Sequence, residues 1–236
     1  MDNTNQTAND IHHLAEKARE EKRFVEALVL SDEALIKYVE EGNVVGSAEI
    51  QASRSITFRL LSQETENFVY LILAKFAAMA SVEISRGLAD KSALALPLLN
   101  LGKVQVALKQ LTDAVSSFEE VVEIMKNTPP AWHNRPGVLA DIEIHLHGAE
   151  LQAGDLSAKE RLLSAIRDLE SSDEDGYNKA VWVSGGYMRL AEGLAPSDPT
   201  AAKEYLQKAK EVIDGDRRLV IRKQQWTKLS NALHLS

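Results

Sequence analysis

Few side chains in this sequence combine the type and the spacing that chemistry requires. His145 and His147 come nearest to a metal pair. Two residues apart on a helix they diverge by roughly 200°, so they cannot share an ion. The adjacent His12 and His13 do no better, and no carboxylate–histidine motif of metalloprotease type is present. The absence of cysteine removes disulfides, thiolate metal sites and a cysteine nucleophile. There is no nucleophile elbow, phosphate loop or dinucleotide fingerprint, and single acids are spread over every helical stretch. The expectation is no metal, no cofactor and no enzymatic activity.

What remains is the chemistry of recognition. Asn100 and Lys103, about one helical turn apart, suit a partner's backbone or carboxylate. Trp132, Tyr177, Trp182, Tyr187 and Trp226 are residue types that dominate binding energy at interfaces. Most such aromatics serve core or connector packing, and Tyr187 is the one retained as a candidate. Arg217, Arg218, Arg222, Lys223 and Lys228 gather near the C-terminus with no acid among them. They form either a contact for an acidic partner or the solvated face of a terminal helix.

Those residues must be carried by helices. Of the 236 residues 44% are apolar and 26% charged, enough for a core and a soluble surface, and only 12 glycines and 6 prolines supply turns. The net charge of −8 repels a phosphate backbone and disfavours general nucleic-acid binding as a function class. The first ten residues lack a basic region and an apolar run, so no secretory signal is read there. The most apolar stretch, residues 68–82, is interrupted by Lys75 and too short for a bilayer. A soluble, cytoplasmic, all-α protein is expected.

The clearest helical pair runs from Leu98 to Met125. Leu98, Leu101, Gly102, Gln105 and Leu108 mark its first helix. Leu111, Ala114, Val115, Phe118, Val121, Val122 and Met125 mark its second. The chain repeats this unit. Leu14-Ala15, Phe24, Ala27 and Ala34 stand 87 residues before Leu101-Gly102, Leu111, Ala114 and Val121. Ala158, Leu162 and Ala165 copy the second-helix spacing, as do Ala202, Leu206 and Ala209. Asn9 or Asp10 is expected to cap the first helix, and Asp198-Pro199 to open a late one. Helices are expected at Ala48–Leu61 and Glu64–Arg86, the latter nearly apolar all round and so placed mid-core. The Gly185-Gly186 pair suggests close approach by a neighbouring helix.

The pattern resembles the tetratricopeptide (TPR) repeat, a helix-turn-helix of about 34 residues. Leu98, Leu101, Gly102, Ala114, Phe118 and Pro129 carry the resemblance most clearly, and Gly148, Leu151, Ala158, Leu162 and Ala165 carry it again. It implies an α-solenoid of five antiparallel helix pairs with a C-terminal capping helix. The pairs fall at about 9–41, 46–86, 91–126, 136–171 and 176–213, the cap at 217–234, all in one domain behind a disordered tail, residues 1–8. It further implies a concave groove, lined by first helices, that binds a peptide or a partner protein. Asn100, Lys103, His145, Gln152 and Tyr187 would then face the groove. Some family members clamp a C-terminal carboxylate there. The equivalent positions here, His12, Glu16 and Arg19 in one unit and His145, Ala149 and Gln152 in another, do not complete that clamp. A homo-oligomer joined through the basic last helix is the alternative.

Overall fold

The computed structural model describes residues 6–234. Eleven α-helices are present among them: α1 (Ala8–Glu20), α2 (Phe24–Glu40), α3 (Val44–Thr65), α4 (Val69–Arg86), α5 (Ala95–Ala107), α6 (Leu111–Asn127), α7 (Pro136–Gln152), α8 (Ala158–Ser171), α9 (Gly176–Leu194), α10 (Pro199–Asp214) and α11 (Val220–Ala232). They form five helix-turn-helix repeats and a final unpaired helix. The expected tail falls largely on residues 1–5, outside the described residues. Residues 6–8 correct it. Thr7 caps α1 by accepting from the Asp10 N–H at 3.2 Å, while the Asp10 carboxylate accepts from the Thr7 N–H at 3.0 Å. Asp10 is therefore the third helical residue of a capping box and not the cap.

The turns repeat as the side chains do. Lys22 and Lys109, again 87 residues apart, both adopt left-handed backbone, with φ of 60° and 59°. After each, an N–H reaches back over the helix end, Arg23 to the Ala18 carbonyl at 2.8 Å and Gln110 to the Gln105 carbonyl at 2.9 Å. This is the Schellman closure, and Gly154 (φ 102°) serves the same turn after α7. The 3₁₀ turn Lys91–Leu94 precedes α5, so Pro97 sits in the first turn, where its missing N–H costs nothing. Asp198 caps α10 through the Ala201 N–H at 3.0 Å, with Pro199 at the first helical position.

The chain divides into two compact units, residues 6–110 with 123–130 and residues 111–122 with 131–234. In the first, α1 packs on α2, α2 on α3, α3 on α4, and α5 on both α3 and α4. Ala8, Ile11, Ala34, Tyr38 and Ile50 form a core there. In the second, α7 packs on α8 and α9, α9 on α8 and α10, and α11 on α9 and α10. Ile144, Leu151, Leu162, Ile166, Leu169 and Leu190 are fully enclosed there.

The second repeat departs from expectation. α3 runs Val44–Thr65, longer at both ends than the expected 48–61, and α4 begins only at Val69. Glu66, at φ 56°, separates them. α4 is not wrapped by core. Its buried side is Ala74, Ala77, Ala78, Ser81, Val82 and Ser85, while Phe68 and Phe76 are 68% and 63% exposed. The physical reason lies where α4 meets α3: the Ser81 hydroxyl donates to the Ala48 carbonyl at 2.7 Å, with small residues on both sides of the contact. Two helices faced with small residues approach closely, which leaves the bulky side of α4 outside.

Candidate partner-binding surfaces

In the second unit, α7 carries Asp141, His145, Gly148 and Gln152 at intervals of four, three and four residues, so they form one stripe. α9 supplies Gly185, Arg189 and Glu192 beside it. The two glycines make the room. A Cβ at Gly148 would stand 2.7 Å from Arg189 Cδ, and one at Gly185 would stand 3.0 Å from an Arg189 guanidinium nitrogen. Arg189 Nη2 donates to His145 Nδ1 at 2.8 Å, with Nε2 at 3.2 Å. His145 Nε2 lies 3.9 Å from Asp141 Oδ2. Burial lowers the Arg189 pKa, and the Asp141 and Glu192 carboxylates pull it back up.

Gln152 closes the stripe. Its Nε2 donates to Glu192 Oε2 at 3.2 Å, which fixes the amide orientation because a carboxylate only accepts. The other end, Gln152 Oε1, is buried without a hydrogen-bond donor. Arg222 reaches in from α11. Its Nη2 donates to the Val181 carbonyl at 2.8 Å, and it also bonds Gln225. His147 turns elsewhere, to Glu150 at 2.8 Å, so the two histidines diverge as their spacing requires.

Tyr187 does not join this stripe. Its ring stacks on Tyr205 of α10 with centroids 6.3 Å apart, and its hydroxyl donates to Glu170 of α8 at 3.2 Å. Burial, with the neighbouring Glu170 carboxylate, pushes its pKa up to about 12. Gly186, next to it, lies under Ile166 of α8 and Ile144 of α7, the close approach read from the glycine pair. Asn100 and Lys103 are partly exposed on α5 in the first unit.

The basic C-terminal residues do not share one helix. Arg217 and Arg218 precede α11. Arg218 pairs with Asp216 at 2.6 Å and lies 4.8 Å over the Tyr177 ring. Arg222 is drawn inward, and Lys223 and Lys228 remain on α11. Trp132 stands on a short 3₁₀ turn, 90% exposed. Sequence reasoning missed Asp141, Arg189 and Glu192. The available signal was a pair of helical glycines, Gly185 and Gly186, one turn before Arg189. Among the described residues, no group of three or more acidic or histidine side chains is placed to hold a metal ion, and no helix is long and apolar enough to cross a membrane.

No protein-family model and no curated protein matches the chain. Solved structures do. BtubC (BKLC) from P. vanneervenii superposes with a TM-score of 0.65 over 88% of this chain and 80% of that one, at 17% identity. A kinesin light chain structure of Podosopora anserina with nearly identical TPR-like repeats gives 0.63 over 89% and 96%, also at 17% identity. A second structure of those Podosopora repeats gives 0.61. The fold is a TPR-like helical repeat. TPR-like folds commonly serve as scaffolds for protein interaction.

Proposed function

We propose that this TPR-like chain is a non-enzymatic, cytoplasmic scaffold that binds an extended peptide segment of a partner protein along its first helices. The observation that carries the reading is Gln152, a partly exposed amide at the end of a polar stripe. Around it Asp141, His145, Arg189 and Glu192 are held by one another, so the surface is formed before the ligand arrives and little ordering is needed. The absence of cysteine supports a reducing setting, and the net charge of −8 disfavours nucleic acid as the ligand.

The test is a displayed library of random peptides panned on the full chain, followed by calorimetry on the selected sequences. Gln152→Leu is expected to weaken the selected peptides about tenfold, the worth of roughly one hydrogen bond, with the thermal melt preserved. Equal affinity in the Gln152→Leu protein removes the stripe as the binding surface.

A further inference from the structure

We propose that the outward face of α4 is a self-association surface, on which two copies of this chain pair α4 against α4 in antiparallel fashion. This surface belongs to the first unit and is separate from the peptide-binding reading above. Phe68, Val69, Ile72, Leu73, Phe76 and Met79 are all exposed, and helical spacing gathers them on one side around Phe76. The second unit gives the contrast. Its own second helices, α8 and α10, turn Glu160, Arg161, Arg167 and Asp168, and Lys203, Glu204, Lys208 and Glu211, toward solvent. The same architectural position is charged in α8 and α10 and apolar in α4. An apolar patch of this extent is at the upper end of what a monomer's surface carries and is often functional.

A second copy is the occupant for two reasons. The first is charge. From Asn67 to Val82 the sole charged residue is Lys75, and its ammonium is turned aside to Gln110 Oε1 at 2.7 Å. The face offers no sign by which to select a charged partner. It is also the neutral place where two chains of net charge −8 can meet. The second is self-complementarity. A two-fold axis crossing the outward face at the height of residue 74 sets Phe68 against the small Ala80, Val69 against Met79, and Ile72 against Phe76. Large meets small at the ends and medium meets large at the centre, as an isologous interface requires. Two exposed phenylalanines and four aliphatic residues present roughly 500 Å² of apolar area, and two such faces reach the ~1,000 Å² threshold of a specific interface. Glu83, near Arg86 at 3.9 Å, ends the stripe.

The experiment is sedimentation velocity on the full chain over a concentration series, at low and high salt. A reversible monomer–dimer equilibrium is expected, with the dimer fraction rising as salt screens the like charge. Phe76→Glu is expected to leave only monomer with an unchanged thermal melt, because the side chain is solvated in the single chain. The lack of native cysteine allows the register to be read directly. Val69→Cys mixed with Met79→Cys is expected to form a disulfide-linked pair in higher yield than either variant alone. A chain that stays monomeric at the highest concentration overturns the proposal, including one that captures a different protein through Phe76. A dimer that survives Phe76→Glu overturns it too, by placing self-association elsewhere. Loss of the dimer with Phe76→Glu but no preferred Val69–Met79 cross-link overturns the antiparallel pairing.

Discussion

Arg189 is the residue on which the second unit's polar stripe depends. Its guanidinium contacts His145 and balances Asp141 and Glu192. Removing one member of a buried charge cluster strands the others, which costs more than the cluster contributes over an apolar replacement. Arg189→Met is therefore expected to lower stability by about 3 kcal/mol in urea unfolding, with an unchanged slope. This cluster was hidden in the sequence because an arginine in a helix reads by default as a solvated side chain. Only the missing Cβ atoms of Gly148 and Gly185 let it turn inward, and their positions acquire meaning once α7 lies against α9.

His12 offers a pH test at the same scale. It is buried in the first unit, with Nδ1 3.2 Å from the Tyr38 hydroxyl. Burial lowers its pKa, against the pull of Glu16. The unfolded chain thus binds a proton near pH 6.5 that the folded chain takes up only at lower pH, and stability falls as pH drops below about 6.5. Glu49 has the opposite sign. Burial, then Glu16, raises its pKa, so acidification above its unfolded value near 4.5 favours the fold. Comparing wild type with His12→Gln from pH 7.5 to 5 separates the two. The wild type is expected to lose more stability than the variant, and parallel curves would show that His12 does not titrate differently on folding.

At the scale of the element, the turns record the repeat most faithfully. Lys22 and Lys109 occupy a backbone region that suits glycine, and Gly154 fills the equivalent place after α7. A side chain there costs about 1–2 kcal/mol, partly offset by the greater freedom glycine regains on unfolding. Lys109→Gly is expected to gain roughly 0.5–1 kcal/mol, seen as a melting point about 2 °C higher. The turn spacing was legible because Leu101 and Leu14, or Ala114 and Ala27, fix which helix faces meet. The orientation of α4 was not. Its sequence offers two apolar faces, one of alanines and one of large residues. Periodicity cannot say which is buried, and the usual preference for burying bulk points the wrong way. The decision lies in α3, whose small residues accept only a thin partner. Ala78→Leu, on the buried side, is accordingly expected to destabilise by about 1–3 kcal/mol although it adds an apolar group, whereas Phe76→Glu on the outer side is expected to be neutral.

At the scale of the whole molecule, the informative element is α6. It runs without a break from Leu111 to Asn127, yet residues 111–122 belong to one compact unit and residues 123–130 to the other. Neither unit keeps its full complement if this helix melts. Phe118, fully buried, sets its ring 5.6 Å from that of His145, so the first part of α6 is tied to the same stripe that holds Arg189. Helix propagation is cooperative, each residue being fixed by the turn before it. The two units are therefore expected to unfold together, in one calorimetric transition whose measured enthalpy equals the van't Hoff value. Proline at an exposed position of α6 removes a backbone bond and clashes with the preceding turn, at about 3 kcal/mol. Glu119→Pro is expected to split the single transition into two, while Glu119→Ala, which keeps the helix, leaves it single. Two transitions already present in the wild type would show that the units melt independently and that the unbroken backbone of α6 transmits no cooperativity.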